Sequence, residues 1–171
     1  KKEEKKLSVL ESVLKESFEA LRAGTNMTIA AAAPLAGYAL TGNAGVLATS
    51  AAFVAGTKGK KDSKVIRNES LSGAIFGTFA HYTTSPIKNL TRIGKLTYMV
   101  PWVFLANAIY MADDHLIKNR TPRGLYKKLK GNYWNITKKA FMLPAPLAIL
   151  SAMFLPAQYL VASIAVGSFL F

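Results

Sequence analysis

Apolar and polar positions alternate along this chain in blocks rather than residue by residue. Four stretches, 23–57, 70–87, 96–112 and 140–171, contain no Asp, Glu, Lys or Arg, and every one of the 22 basic residues lies outside them. Ahead of the first, Leu7, Leu10, Leu14, Phe18 and Leu21 recur at spacings of three and four, with Val13 beside them and Lys and Glu on the opposite face. That pattern predicts an amphipathic surface helix over 1–22, with Gly24 as its stop.

A bilayer core takes about 20 apolar residues per helix. Two of the uncharged stretches fall slightly short of that length and two exceed it. The pattern predicts an all-α fold: an integral membrane helix bundle of four to six spans, forming a single domain over 23–171 behind the amphipathic helix. The spans are expected near 26–41, 43–56, 70–87, 96–112 and 140–156, with a short helix over 160–171. Thr41, Gly42 and Asn43 interrupt the first stretch and predict a helical hairpin turning there. Residues 58–69 and 120–139 read as basic loops, the second with a short surface helix over 122–130. Pro34, Pro101, Pro144 and Pro156 are expected to kink or end helices, because proline lacks the N–H that the helical ladder needs. The closing stretch 140–171 would reach about 48 Å as one helix. It is therefore expected to break near Pro156.

Composition sharpens this picture. Net charge is +13, from 22 Lys and Arg against 9 Asp and Glu. The bases flank apolar runs, where they suit anionic lipid headgroups better than nucleic acid. With the hairpin in place, the 1–22 helix, the 58–69 loop and the 113–139 loop share one side. They hold six, five and eight basic residues, against three (Lys88, Arg92 and Lys95) across the bilayer. This asymmetry puts those three segments on the cytoplasmic (or matrix) side. No cysteine is present, which excludes disulfides and thiol chemistry. No signal peptide is expected, since the first long apolar run follows a charged amphipathic segment.

Candidate chemistry is sparse. His81, Asn107 and Gln158 are polar groups within apolar runs, suited to interhelical hydrogen bonds or to a wet path. Asp113, Asp114 and His115 are the candidate ligands for a divalent cation. Helical neighbours diverge by roughly 100°, however, and further acids are few, so a solvated interface is the better reading. Gly73 and Gly77 form a GxxxG pair that lets helices approach closely. No span carries a charged residue, and no HExxH motif, glycine-rich phosphate loop or ordered Ser-His-Asp set is present. An enzyme is disfavoured, and no cofactor is expected.

Over about residues 73–160 the chain resembles the Mpv17/PMP22 family of small multi-span membrane proteins. The resemblance rests on "GAIFGTFAHY", "LYKKLKGNYW" and "LPAPLAILSAMFLPAQY", where Gly77, His81, Leu129, Lys130, Tyr133, Pro156 and Tyr159 match the family pattern. Thr78, Leu143 and Leu160 stand where the family has Pro, Trp and Arg. The resemblance implies pore-like solute permeation. The residues alone favour a non-catalytic accessory or structural subunit of a larger membrane complex, in contact with other membrane subunits or with further copies of itself. A small-solute pore is the alternative.

Overall fold

The computed structural model describes the backbone of residues 2–57 and 62–170, and the side chains of 11–57 and 62–167. Among these residues the chain is all-α, with no strand. Its helices are α1 (Lys2–Thr41), α2 (Gly45–Ala55), α3 (Ser63–Thr84), α4 (Arg92–Asn119), α5 (Leu125–Ala140), α6 (Pro144–Phe154) and α7 (Leu160–Leu170). Short 3-10 turns at Ser85–Asn89 and Ala157–Tyr159 join α3 to α4 and α6 to α7.

The helix boundaries correct several expectations. The amphipathic segment and the first expected span are one 40-residue helix, and Gly24 does not stop it. A glycine inside a helix costs only about 1 kcal/mol against alanine, which the good helix formers around it outweigh. The Leu7 and Leu10 side chains lie outside the described residues, as do residues 58–61 of the expected loop. From Ser63 onward that loop is helix. Asp62 accepts a hydrogen bond from the Lys64 backbone N–H at 2.9 Å and caps α3 seven residues ahead of the expected span. The expected 122–130 surface helix is displaced and extended to Leu125–Ala140. The expected 140–156 span is instead the 11-residue α6, which starts at Pro144 and diverges from α5 by 54°. Proline favours the first turn of a helix and cannot continue one, which explains the break.

The 41–45 turn closes on its own side chains. Gly42 adopts φ 62, and the Asn43 side chain accepts from the Gly45 N–H at 2.8 Å. The helices then pair by identifiable contacts. Asn26 donates to the Ser63 hydroxyl and Tyr82 to the Leu40 carbonyl, so α1 and α3 run parallel. Pro34 lies inside α1 and cannot donate to the Ala30 carbonyl. The Ser70 hydroxyl of α3 occupies that carbonyl instead, at 2.5 Å. α2 runs back along α3, and α7 lies against α2 at Gly45. α4 descends antiparallel to α3, with Trp102 Nε1 bonded to Thr83 and Ser72 to Asp113. Pro101 sits inside α4, and Pro156 precedes the second 3-10 turn.

These contacts define two ends. One gathers Asn26, the start of α3, the end of α4 and the start of α5; here it is called the charged end. The other gathers the Asn43 turn, Ser85–Asn89 and the 156–159 break; it is called the turn end. The large buried side chains Ile87, Met99, Trp102, Leu160 and Val161 cluster toward the turn end. Phe53, Phe76 and Tyr110 stack farther along the bundle, and glycines make the closest helix contacts. A Cβ on Gly73 would lie 2.6 Å from the Ser50 Cα, and one on Gly45 2.7 Å from the Val161 Cβ.

No single helix among the described residues is long and apolar enough to cross a membrane. The bent pair α5 and α6 meets that requirement together, by length and composition only.

Candidate functional sites at the two ends

At the charged end the three adjacent residues Asp113, Asp114 and His115 point to different partners. Asp113 accepts from the Ser72 hydroxyl at 2.6 Å. Asp114 pairs with Lys118, one turn along α4, and with Lys128 of α5 at 2.7 Å. Lys118 also reaches Glu69 of α3 at 3.0 Å. His115 is buried, donates from Nε2 to the Arg123 carbonyl and accepts at Nδ1 from Asn119. Both ring nitrogens are thus occupied, Nε2 in closing the α4–α5 corner and Nδ1 within the last turn of α4. No group of three metal-binding side chains forms among the described residues.

The titration of these groups follows from their neighbours. Burial pushes the Asp113 carboxyl up to about 6, against the lowering effect of the Ser72 hydrogen bond and with the nearby Asp114 and Glu69 charges raising it further. Burial acts in the same sense on Asp114. There the hydrogen bonds and charges of Lys118 and Lys128 win, and its carboxyl is held below the ordinary range. Burial opposes the charge on Lys118, but Asp114 and Glu69 outweigh it and raise its ammonium above the ordinary value.

Beside this cluster lies an open cleft of about 850 Å³ between the outer half of α1 and the last turn of α4. Lys15, Arg22, Lys64, Arg67, Lys118 and Arg120 line it, with Glu19 among them. Arg67 is held in place by uncharged groups. Its Nη1 donates to the Asn26 side chain at 2.9 Å, and its Nη2 and Nε donate to the Asn68 side chain at 2.7 and 3.1 Å. Both asparagines are buried.

At the turn end a second open cavity, of about 570 Å³, is lined by Asn43, His81, Ser85, Lys88 and Gln158 among others. Asn43 Nδ2 donates to His81 Nδ1 at 3.1 Å, tying the α1–α2 turn to α3. The structure therefore brings His81 and Gln158 to one cavity. Asn107 does not line it; it sits on α4, with its side-chain nitrogen buried and unpartnered. Gly73 and Gly77 lie on the α3 face against α2.

Sequence reasoning missed Arg67, Asn26, Glu69 and Lys128. Of these interactions only the Asp114–Lys118 pair has a local signature, its i,i+4 spacing. The Arg67–Asn26 bond joins residues 41 positions apart, which no spacing rule reaches. Compared with models of known families, with curated proteins and with solved structures, the chain matches none.

Proposed function

We propose that this chain is a membrane-embedded helical protein that serves as a non-catalytic accessory subunit of a larger membrane complex. The observation that carries the reading is the combination of small residues at many helix contacts with large apolar side chains on the outside, around a core that keeps Ile87, Met99, Trp102 and Leu160. Alanine, glycine, serine and threonine fill many of the interhelical contacts: Ala74, Ala80, Ala106, Ala148 and Ala152 are buried, as are Thr49, Ser50 and Ser72. Large apolar side chains face outward on every long helix, among them Leu35, Leu40, Ile75, Leu105, Leu150 and Phe154. In water such a surface favours association. In a bilayer it meets lipid, and small residues are what let helices approach there.

The outer half of α1 adds the subunit character. Every residue from 11 to 22 is exposed, including Phe18 and Leu21 at 68% each. An amphipathic helix left uncovered by the described residues suits a lipid surface or another subunit. On this reading the outer half of α1, the start of α3 and the α4–α5 corner face the cytoplasm (or matrix), as the basic asymmetry suggests.

The test is the native mass of the detergent-extracted protein, measured by light scattering with detergent correction. Other chains recovered at fixed stoichiometry are the expected result. A lone monomer overturns the subunit reading. The turn-end cavity favours a second reading, the small-solute pore that the family resemblance implies, with His81 and Gln158 on a shared polar surface. It predicts solute flux in proteoliposomes that His81→Ala reduces; absence of flux in the wild-type protein removes it.

A further inference from the structure

We infer that the cleft at the charged end is a binding site for the phosphate-bearing headgroup of an anionic phospholipid. The inference rests on the membrane reading above and adds a specific ligand class and site to it.

Charge provides the first argument. Lys118 is neutralised by Asp114 and Glu69. Among the described residues, no carboxylate lies within ion-pair distance of Lys15, Arg22, Lys64, Arg67 or Arg120. Glu19 alone among the lining residues is acidic. The cleft therefore carries an excess of positive charge that the described residues leave without an ion pair.

Pre-organisation provides the second. Three of the Arg67 N–H donors are fixed by neutral amide oxygens, which orient the guanidinium without cancelling its charge. A guanidinium has five donors, so two remain for a ligand. Asn26 is itself held by the Ser63 hydroxyl at 3.1 Å. Arginine's planar fork matches phosphate oxygens in pairs.

The third argument separates a lipid from a free anion. Phe18 and Leu21 line the same cleft. Inorganic phosphate would leave the Phe18 ring and the Leu21 methyls in water. A phospholipid covers them with its glycerol and upper acyl chain while its phosphate meets the cations. The cleft also lies at an end of the bundle, where headgroups lie if the outward apolar surface faces acyl chains.

The experiment uses the purified full chain. Membranes containing it are first washed with alkaline carbonate; release of the chain overturns the membrane reading and the lipid site with it. With the chain retained, detergent-solubilised protein is titrated with phosphatidylglycerol or phosphatidylcholine, and bound lipid is counted by native mass spectrometry. Phosphatidylglycerol is expected to win. Each cation near a lipid surface is worth about fivefold, so Arg22→Gln with Arg67→Gln should cut the preference about 25-fold. Lys15→Gln with Arg22→Gln, confined to the exposed α1 surface, should do the same without disturbing the Asn26–Asn68 cradle. Lys127→Gln with Lys130→Gln removes equal charge from α5 outside the cleft and should change the preference by less than about twofold. Equal losses in all three variants overturn the site in favour of net charge. Full displacement of lipid by inorganic phosphate at matched concentration overturns the lipid in favour of a free anion. Tighter retention of an oligonucleotide than of phosphatidylglycerol overturns it in favour of nucleic acid.

Discussion

The α2–α3 seam and the α4–α5 corner join neighbouring helices by opposite means. The seam is closed by shape. Gly73 and Gly77 bring α3 against the backbone of α2, with Ser50, Thr49 and Val46 facing them and no charge involved. The corner is closed by charge and hydrogen bonds, through Asp114, Lys118, Lys128, Glu69 and the buried His115. A seam of shape should ignore pH and salt yet fail on the addition of a few carbons. A corner of charges should tolerate changes of volume yet respond to protons.

The largest effect is expected at the seam. Gly73→Leu drives a side chain into the Ser50 backbone, where even a Cβ lies at 2.6 Å, and should cost about 3 kcal/mol. Thermal unfolding in detergent reads this, with Gly131→Ala as the control, since nothing lies within 4 Å of a Cβ there. An unchanged midpoint for Gly73→Leu would show that α2 and α3 are not apposed.

Ser70→Ala comes next. It strips the Ala30 carbonyl of the side-chain donor that stands in for the missing Pro34 N–H and should cost about 2 kcal/mol, at any pH between 5 and 8.

Asp114→Asn moves to the corner. It leaves Lys128 unpaired and Lys118 with Glu69 alone, for a loss of about 1.5 kcal/mol at neutral pH. The native carboxyl sits below its ordinary 3.8, so its contribution is present above that pH and fades as pH falls through the lower native value. Wild type and variant should therefore converge in strong acid.

Asp113→Asn has the smallest effect and the opposite sign. The native carboxyl is raised to about 6 from 3.8, so the folded state holds its proton longer than the unfolded chain does. Stability then falls as pH rises through that window, and ionised Asp113 is a burden above it. The amide variant should gain about 1 kcal/mol at pH 7.5, after discount for partial exposure, and nothing at pH 4. A variant that loses stability at pH 7.5 would break the contrast between the two adjacent carboxylates.

The seam was more legible in the sequence than the corner. Gly73-x-x-x-Gly77 and the Thr41–Asn43 interruption are local patterns with local causes, and so is the break at Pro156. The continuity of α1 was hidden, because Gly24 is a stop signal only when packing or a cap enforces it, and a Cβ there would touch nothing. The early start of α3 was hidden because Lys64, Arg67 and Glu69 read as a solvated loop, although Asp62 carries the cap. Only the first part of α5 was expected, as the 122–130 helix; its continuation was masked by the exposed Lys138 and Lys139, and the inward turn of Lys128 to Asp114 has no local signature. The basic cleft depends on α1 and α4 converging in space, and sequence distance carries no record of that.

Pro34 has a mechanical consequence. It removes one rung from a helix about 60 Å long, and the Ser70 hydroxyl closes the gap from the neighbouring helix. α3 stitches α1 together on both sides of the missing rung, at Asn26 and Ala30 before it and at Leu40 after it. The neighbouring helix thus acts as a splint, and the basic cleft and the Asn43–His81 turn are held in one register along it.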